Sequence, residues 1–539
     1  MSEGDFETVY DLFRATAVRR PDNAMLAVPS MPGRGYHEAG LELTYAQVAA
    51  EVETLKARYA AAGYGPGHRV ALLLGQRPEF FFHYLALNGL GAGIVPVNPD
   101  YRHDEMLYQM LHSDAALAVV LESRLGDMQA VAADRGTALP VVSFEDWPAS
   151  LPEAPEVPAT ARGRLGECSL LYTSGTTGRP KGCVLTNDYY LNAAGWYANI
   201  GGRLTIRAGV ERIYNPLPLF HMNCQAVNAT AMIQTGGCLV LPDRFHPRRF
   251  WADLVETRAT AMHYLGVMPP LLLNQPPCDE ERRHTVRFGL GAGVEPELHR
   301  AFEARFGVPL VEVWGMTETG RIFADNVEPR QIDTRAFGRP FGGLEAKVVD
   351  DQDEELPRGR EGELVVRFAG PDPRRAFFAG YLKDAAATEE AWRGGWFHTG
   401  DTVRQADDGM LYFVDRKKNI IRRSGENIAA AEVEACLQAH EAVAQVAVIA
   451  APDELREEEV FACIVPMPGA ATDRAQAEAL FAWCNQRLAY YKPPGWICFL
   501  AALPTTGTQK VQKTRIFPAG EDPRRRDGVF DLRALKRRG

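Results

Sequence analysis

The first 150 residues alternate between helical and strand-like patterns of apolar positions. In TYAQVAAEVETLKARYAAAG (44–63) apolar residues recur at helical spacing up to Gly63, and HRVALLLG (68–75) is then a short apolar run typical of a buried strand. The same order recurs over 79–99, 104–121 and 249–267. Helices that alternate with buried strands indicate layered α/β sheets.

The pattern of the sequence changes beyond about residue 335, from alternating helices and strands to short strands. Short strands such as LEAKVVD (344–350) and GELVVRF (362–368) predict a small β-rich subdomain. A new series of helices and strands follows residue 418, with helices over 429–440 and 475–488 and strands over 443–450 and 461–467. We therefore predict an α/β protein with a large N-terminal domain (1–417) and a small α+β C-terminal domain (418–539). The Pro- and Ala-rich stretch 148–166 is interpreted as a surface connector.

Composition limits the function classes. A chain of 539 residues is too long for one core, and 59 basic against 69 acidic residues give a net charge of −10 without a basic stripe, which disfavours nucleic acid as a partner. The nine cysteines never form a C-x-x-C pair, so a zinc site and a disulfide framework are disfavoured and a cytoplasmic location is expected. The acidic start MSEGDFETVYDLF lacks the features of an export signal. The longest weakly charged run is broken by Asn88, three glycines and Pro96, so no membrane span is expected, and the basic stretch LRALKRRG near the C-terminus is expected to be solvated.

The segment LLYTSGTTGRPKGCVLT (170–186) carries the first candidate chemistry. A strand would end at Tyr172, and the glycines would let the backbone amides and hydroxyls of the following turn surround a phosphate. The spacing is not that of a Walker loop, because Lys181 follows Gly178 by only three positions. By composition alone, the segment is equally typical of a flexible linker.

The order of residues in YTSGTTGRPKG resembles the signature of the adenylate-forming superfamily, which includes acyl-CoA synthetases, firefly-type luciferases and the adenylation domains of nonribosomal peptide synthetases. The resemblance continues in order through PLPLFH, GLGAG, EVWGMTETG, GELVVR, GWFHTGD, DRKKNIIRRSGENIAAAEVE and LPTTGTQK, and covers nearly the whole chain. It implies an enzyme that uses ATP and Mg²⁺ to convert a carboxylic acid to an acyl-adenylate and then transfers the acyl group to coenzyme A. It also implies that the small C-terminal domain moves between the two half-reactions.

The resemblance assigns roles around the nucleotide. The phosphates would be held by Ser174, Thr176, Thr177, Gly178 and Lys181, with a solvated turn as the alternative. Glu318 resembles the magnesium-associated carboxylate and Thr317 a donor to the α-phosphate; the alternative is a helix N-cap pair. Trp314 stands where relatives carry an adenine-stacking tyrosine, although it can also be a plain core residue. Gly291 would bring backbone close to the nucleotide or the acyl group, and Asp401 with Arg416 would bind the ribose.

The C-terminal motif departs from the family pattern. Relatives end in TGK, whereas this chain reads TTGTQKVQK, with Gln509 in place of glycine. Lys510 is the candidate for the lysine that bridges the carboxylate and the α-phosphate, and Lys513 is a rival. The resemblance places the hinge at Lys418 and puts Gly425 beside the tunnel for the pantetheine thiol.

The resemblance also locates the acyl pocket. Its predicted lining is Phe220, Met222, Cys224, Val267, Leu290 and Met316, with His221 beside them and counted among the catalytic candidates. This lining is largely apolar, so an aromatic or medium-chain aliphatic acid is predicted. The segment HMNCQ lacks the aspartate of amino-acid-activating relatives, while Tyr264, Trp314 and Trp196 leave open a quaternary ammonium acid through cation–π contact.

Other functions stay open at this point. The acyl group can instead go to the pantetheine of a separate carrier protein, a luciferase-type oxidation can follow adenylation, or the chain can be a non-catalytic nucleotide-binding scaffold. The expected partners are therefore a small carboxylic acid, ATP and coenzyme A. The oligomeric state is open, with a homodimer as one option.

Overall fold

The structure is a computed structural model that describes residues 6–158, 160–173, 180–416, 419–423, 426–453, 456–488, 490–505, 511–518 and 520–536. It forms two compact units, which we describe separately. The first comprises residues up to Glu345 together with Arg367–Trp396, and the second comprises Ala346–Val366 together with the residues from Phe397 onward. The predicted α/β class is confirmed, whereas the boundary at 417/418 stays a prediction.

The helices and strands are numbered in chain order. The α-helices are α1 (Val9–Arg19), α2 (Tyr45–Ala61), α3 (Glu79–Leu90), α4 (His103–Ser113), α5 (Leu125–Asp134), α6 (Asn187–Asn199), α7 (Thr230–Thr235), α8 (Phe250–Glu256), α9 (Met268–Leu273), α10 (Pro296–Phe306), α11 (Ala385–Ala391), α12 (Ala430–Gln438) and α13 (Arg474–Asn485). The strands are β1 (Ala24–Val28), β2 (Leu41–Thr44), β3 (Arg69–Leu73), β4 (Gly93–Pro96), β5 (Leu117–Val120), β6 (Val141–Ser143), β7 (Glu167–Thr173), β8 (Lys181–Thr186), β9 (Arg212–Tyr214), β10 (Cys238–Val240), β11 (Ala261–Leu265), β12 (Gly289–Ala292), β13 (Leu310–Trp314), β14 (Phe323–Ala324), β15 (Ala336–Gly338), β16 (Leu344–Val349), β17 (Glu361–Phe368), β18 (Gly380–Tyr381), β19 (Phe397–Gln405), β20 (Leu411–Arg416), β21 (Ile420–Arg423), β22 (Glu426–Ala429), β23 (Val443–Asp453), β24 (Glu457–Pro466), β25 (Trp496–Phe499) and β26 (Val529–Asp531).

Two sheets build the first unit. One has the strand order β14-β13-β12-β11-β9-β10-β1-β2, with antiparallel pairing only at its two ends. The other has the order β18-β8-β7-β4-β3-β5-β6, in which β7, β8 and β18 pair antiparallel and the remaining strands pair parallel. The parallel pairs explain why the strands of this unit are short, continuous apolar runs: helices cover both faces of such a sheet.

Local signals in the sequence set the ends of the predicted elements. Thr44 caps α2 through a reciprocal pair of hydrogen bonds with Gln47, and Gly63 follows the helix with a φ of +87°. The connector 148–166 has no regular structure in its described residues apart from a short 3₁₀ turn at Gly163–Leu165.

The strands β11 and β12 separate two buried clusters because neighbouring residues of a strand face opposite sides of the sheet. On one side Tyr264 packs with the helix residues Trp251 and Phe306, whose rings lie 4.4 Å apart. On the other side Leu290, which pairs with His263, packs with Trp196 of α6.

The second unit combines an antiparallel sheet, in which β20, β19, β17 and β16 lie in that order, with a sheet in the order β22-β21-β24-β25-β26 to which β23 adds at β24. Its main core lies between the second of these sheets and the helices α12 and α13. The expectation of a solvated basic C-terminal stretch is wrong at Leu532 and Lys536, whose side chains are buried, whereas Ala534 and Leu535 are exposed. The side chain of Lys536 is 1% exposed and binds the buried carboxylate of Glu459, which also accepts a 2.7 Å hydrogen bond from Arg423. We call Arg423, Glu459 and Lys536 the charge triad.

Two further findings concern the whole described chain. Among the described helices, none combines the length and the apolarity needed to cross a membrane. All nine cysteines are free thiols, and seven of them are buried.

Candidate active site

The carboxyl ends of four parallel strands, β9, β11, β12 and β13, meet at one edge of the first sheet. In open α/β sheets, ligands bind outside this edge. The segments that leave it are those singled out in the sequence: 215–222 after β9, Gly266 and Val267 after β11, Gly293 after β12, and 315–318 after β13. The fold therefore gathers the predicted acyl and nucleotide stretches of the first unit at one place.

Glu318 is the buried centre of a polar chain at this edge. Its Oε1 accepts a 2.9 Å hydrogen bond from the hydroxyl of Tyr381, and its backbone oxygen accepts one from the amide of Phe378. The ammonium of Lys181 lies 4.6 Å from the centre of the Tyr381 ring, within cation–π range. Tyr381 thus connects the two residues that the sequence assigned to magnesium and to the phosphates.

Two neutral side chains lie near the Glu318 carboxylate. One is Tyr381, which donates a hydrogen bond to it, and the other is the buried thiol of Cys183. Burial, together with the nearby Glu318 carboxylate, raises the pKa of this thiol well above its usual value, so it stays protonated. The Tyr381 hydroxyl, a neutral donor, holds the carboxylate without cancelling its charge.

The turn that carries Thr317 and Glu318 is fixed by its surroundings. The Thr317 carbonyl accepts a 2.8 Å hydrogen bond from Tyr189, and Thr319 Oγ1 donates to the Met316 carbonyl at 3.0 Å. A Cβ on Gly320, whose φ is +63°, would lie 2.7 Å from the Tyr189 ring. The turn therefore needs glycine at this position, and Thr317 itself stays partly exposed.

Trp314 and Gly291 are placed by core contacts. The Trp314 ring stacks on Phe323, with centroids 5.4 Å apart, and also contacts Phe337. A Cβ on Gly291 would lie 2.3 Å from the carbonyl oxygen of Tyr264 and 2.5 Å from its ring. The close packing of Gly291 against Tyr264 of β11 therefore explains by itself why this position needs glycine.

Glu312 is a site residue that the sequence analysis missed. Its carboxyl accepts hydrogen bonds from the Tyr264 hydroxyl at 2.8 Å and from the Gly293 amide at 2.8 Å. Burial raises the pKa of Glu312 to about 7, although these hydrogen bonds act in the opposite direction. Glu312 thereby holds the turn that leaves β12. It is the first residue of the quoted segment EVWGMTETG, but the sequence analysis assigned it no role.

The predicted acyl-pocket residues differ in exposure. Val267 is 43% exposed, and Phe220, His221, Met222 and Met316 are partly exposed. The other two predicted lining residues, Cys224 and Leu290, are fully buried. The rings of Phe220 and His221 lie 4.6 Å apart.

The aromatic residues considered for a quaternary ammonium site do not form one cage. Tyr264 and Trp196 belong to separate core clusters on opposite faces of the sheet. The Tyr264 ring is covered by Gly291, and Trp314 is engaged with Phe323. This arrangement disfavours cation–π recognition by these three residues together.

The second unit holds the residues assigned to ribose and to the closing lysine. Asp401 in β19 is buried and pairs with Arg416 of β20 across the antiparallel ladder; only the backbone of Arg416 is described. The rival lysine, Lys513, forms a 2.8 Å ion pair with Glu434. Seven predicted site residues lie outside the described part of the chain: Ser174, Thr176, Thr177, Gly178, Lys418, Gly425 and Lys510.

No group of three or more His, Cys, Asp or Glu side chains suited to a metal occurs among the described residues. Magnesium reaches proteins through one or two carboxylates and keeps several waters. The Glu318 carboxylate, with the partly exposed Thr317 hydroxyl next to it, fits such a cation because both offer oxygen ligands.

Comparison with known proteins identifies the class. The family described as AMP-binding enzyme matches residues 13–382, and the AMP-binding enzyme C-terminal domain matches residues 432–510. Since the first match covers more than half of the chain, the protein belongs to the AMP-binding enzyme family, and the resemblance seen in the sequence is confirmed.

Individual relatives indicate the type of reaction within this family. The chain is 31% identical over 497 residues to the crotonobetaine/carnitine–CoA ligase of Proteus mirabilis, covering 88% of this chain and 93% of the relative. It is 32% identical over 520 residues to the sulfoacetate–CoA ligase of Cupriavidus necator, covering 95% and 97%. ATP-bound MatB from Rhodopseudomonas palustris has a TM-score of 0.78 at 26% identity, covering 94% and 97%. The protein is accordingly an AMP-forming acid–thiol ligase that uses ATP, Mg²⁺ and coenzyme A, as predicted.

Proposed function

We propose that this ligase activates an aromatic or medium-chain aliphatic carboxylic acid to its acyl-adenylate and transfers the acyl group to coenzyme A. The observation that supports the site is the Lys181–Tyr381–Glu318 chain beside the carboxyl ends of β9, β11, β12 and β13. The partly exposed apolar residues Met222, Val267 and Met316, at the same edge, support the acid class.

The first half-reaction brings two anions together. One oxygen of the acid's carboxylate attacks the α-phosphorus of ATP, the bond to the bridging oxygen breaks, and pyrophosphate leaves with the electron pair. Cations and oriented donors must offset this charge. In the proposal Lys181 contacts the β- and γ-phosphates and Thr317 donates to the α-phosphate.

Magnesium, when bound, neutralises phosphate charge. Glu318 would hold it, and Tyr381 keeps the Glu318 carboxylate in one orientation through their 2.9 Å hydrogen bond. Trp314 would stack on adenine with the ring face that does not meet Phe323, and Asp401 would bind the ribose hydroxyls.

The second half-reaction uses the predicted mobility of the C-terminal domain (418–539). The coenzyme A thiolate attacks the acyl carbon, the acyl–phosphate bond breaks, and AMP leaves. Lys510 would serve the first half-reaction, the loop with Gly425 would serve the second, and Lys418 would be the hinge between them. Lys418→Pro should spare adenylation but block thioester formation; equal loss of both half-reactions would contradict the hinge.

Pyrophosphate release over a panel of aromatic and aliphatic acids, with and without coenzyme A, tests the proposed function. Acid-dependent release that coenzyme A accelerates is expected, with the acyl-CoA detected by mass spectrometry. Release that only a pantetheine-bearing carrier protein accelerates would indicate the carrier-loading alternative. Absence of release with every acid would favour a scaffold.

The nine free cysteines are the basis for placing the enzyme in a reducing cytoplasm. The oligomeric state, including the homodimer option, is to be measured by light scattering.

A further inference from the structure

A buried network of neutral polar residues lies next to the predicted acyl pocket. It comprises Asn215 after β9, His263 in β11, Tyr197 in α6 and Asn223, the first residue of a π-helix (Asn223–Ala229). Asn215, His263 and Tyr197 are fully buried, whereas Asn223 is partly exposed. Asn223 stands in the sequence between Met222 and Cys224, two residues of the predicted pocket lining. π-helical turns occur frequently at functional sites.

The hydrogen bonds fix the direction of every amide in the network. The backbone amide of Leu217 donates to Asn215 Oδ1 at 3.0 Å, so Nδ2 of Asn215 must be the atom that faces Asn223. That Nδ2 lies 3.1 Å from Asn223 Oδ1, which accepts its hydrogen bond. A reversed Asn223 would place two donors against each other, at the cost of an unsatisfied buried group.

The hydrogen bonds of His263 independently indicate that Oδ1 of Asn223, and not Nδ2, faces the network. Its Nδ1 lies 2.7 Å from Asn223 Oδ1, and its Nε2 lies 3.0 Å from the Tyr197 hydroxyl. Burial lowers the pKa of His263 to about 3, so the ring is neutral at physiological pH and carries one N–H. Nδ1 therefore donates to Asn223, Nε2 accepts from Tyr197, and the 3.3 Å approach of Asn215 Nδ2 to Nδ1 is not a hydrogen bond.

Because Oδ1 of Asn223 already accepts hydrogen bonds from two donors, the Nδ2 amide is the side-chain group that can still bind a ligand. This Nδ2 has no hydrogen-bond partner among the described residues, and the partial exposure of the residue leaves it accessible. Every member of the network is neutral, so the group it presents is a dipole without net charge.

We propose that Asn223 is a specificity-determining residue, which donates a hydrogen bond from Nδ2 to an uncharged oxygen on the tail of the acid. The substrate is then an acid with an apolar aromatic or aliphatic skeleton that carries a hydroxyl, keto or ether oxygen. This inference rests on the proposed function and narrows its substrate class. A site that hydrogen-bonds such a group disfavours the analogue that lacks it, because the polar group of the site then loses its partner.

The test compares pairs of acids that share a carbon skeleton and differ by one hydroxyl or keto oxygen. Pyrophosphate release by the full-length enzyme gives kcat/KM for each acid, and the ratio within a pair is the readout. For the pair whose oxygen reaches Asn223, we expect about a 10- to 100-fold preference for the oxygenated acid, corresponding to about 1.4–2.8 kcal/mol. A ratio near one for every pair, despite release of pyrophosphate, would overturn this inference and leave the proposed function standing.

Asn223→Asp tests the Nδ2 donor specifically. The variant keeps an acceptor oxygen for Asn215 and His263 but replaces the amide N–H group by an oxygen. The ratio of kcat/KM within the pair should fall to one or reverse. Asn274→Asp, at an exposed residue directly after α9, makes the same change of charge and should retain the native ratio. An unchanged ratio in Asn223→Asp, or a native preference for acids with a sulfonate or second carboxylate, would contradict the proposal. The native ratio tests the proposal even if the variant does not fold, and failure of all acids to release pyrophosphate would instead refute the proposed function.

Discussion

The charge triad of the second unit gives the prediction with the largest expected effect on stability. Glu459 is fully buried and is the anion shared by Arg423 and Lys536, whose side chains are 4% and 1% exposed. Glu459→Gln leaves two cations in the interior without their counter-charge. Removing one partner from a buried ion pair costs about 3–5 kcal/mol. We expect a loss in this range for Glu459→Gln at pH 7.

The two cations contribute differently to this cost. Burial lowers the pKa of Lys536 from 10.5 to about 8 even with Glu459 in place, so its charge is the more easily lost. Removing Lys536 as well should therefore recover about 2 kcal/mol of the loss, and Glu459→Gln/Lys536→Met should be more stable than Glu459→Gln. Lys536→Met alone leaves the 2.7 Å Arg423–Glu459 pair intact and should change stability by less than about 1 kcal/mol.

The pH dependence of stability has a definite sign. Because the pKa of Lys536 is lower in the folded protein than in the unfolded chain, the unfolded chain binds more protons between pH 8 and 10.5, and this residue makes stability rise with pH in that window. The rise should be missing in Lys536→Met.

Hydrogen exchange of peptides from β24 and β25 measures the free energy of opening of this sheet separately from the first unit. Glu478→Gln is the matched control, because its pair with Arg474 is 44% and 60% exposed and should be worth at most about 1 kcal/mol. A change below about 0.5 kcal/mol in Glu459→Gln, or a further loss on adding Lys536→Met, would refute the reasoning.

Three further predictions concern the first unit and the closing lysine. Tyr381→Phe removes the donor to Glu318 and should lower kcat/KM for pyrophosphate release about 10-fold; an unchanged value would show that the hydrogen bond is dispensable. Because the pKa of Glu312 is raised to about 7, its contribution to stability is complete below pH 4.5 and is lost as pH rises through 7; Glu312→Gln should flatten the pH dependence of Tm, and parallel Tm curves would contradict this. Lys510→Ala should reduce pyrophosphate release more than about 100-fold and Lys513→Ala less than about 5-fold, since Lys513 is committed to an ion pair; the reverse order would identify Lys513 as the closing lysine.

Local pattern was sufficient to predict helices and strands in the first unit. The helical spacing in 44–63 and the apolar run in 68–75 became α2 and β3, because one amphipathic helix and one buried strand each bury their apolar residues in only one way. The resemblance assigned Glu318 and Lys181 to one site, and Tyr381 connects them in the structure, although Glu318 follows β13 of one sheet and Lys181 begins β8 of the other.

Residues that act through distant partners were not predictable in this way. Tyr381 reaches Glu318 because β18 pairs with β8, which aligns Tyr381 with Cys183, and no spacing in the sequence encodes that pairing. Lys536 lies in a basic stretch typical of solvated chain, and its partner Glu459 is 77 residues away. The sequence analysis treats Asn223 only as part of a segment without an acidic residue, whereas its proposed role depends on which neighbours donate hydrogen bonds to it.

The position of β1 in the first sheet affects how this protein is made. β1 lies between β2 and β10, so Leu26 needs Leu239 as its partner, and that residue is synthesised more than 200 residues later. Pairing between residues so far apart in sequence is slow and leaves strand edges exposed in the meantime. During translation the ribosome-bound chain must therefore carry an incomplete sheet until β10 has emerged. Yield in a cell should consequently respond more to chaperone supply and elongation rate than to the stability of the finished enzyme.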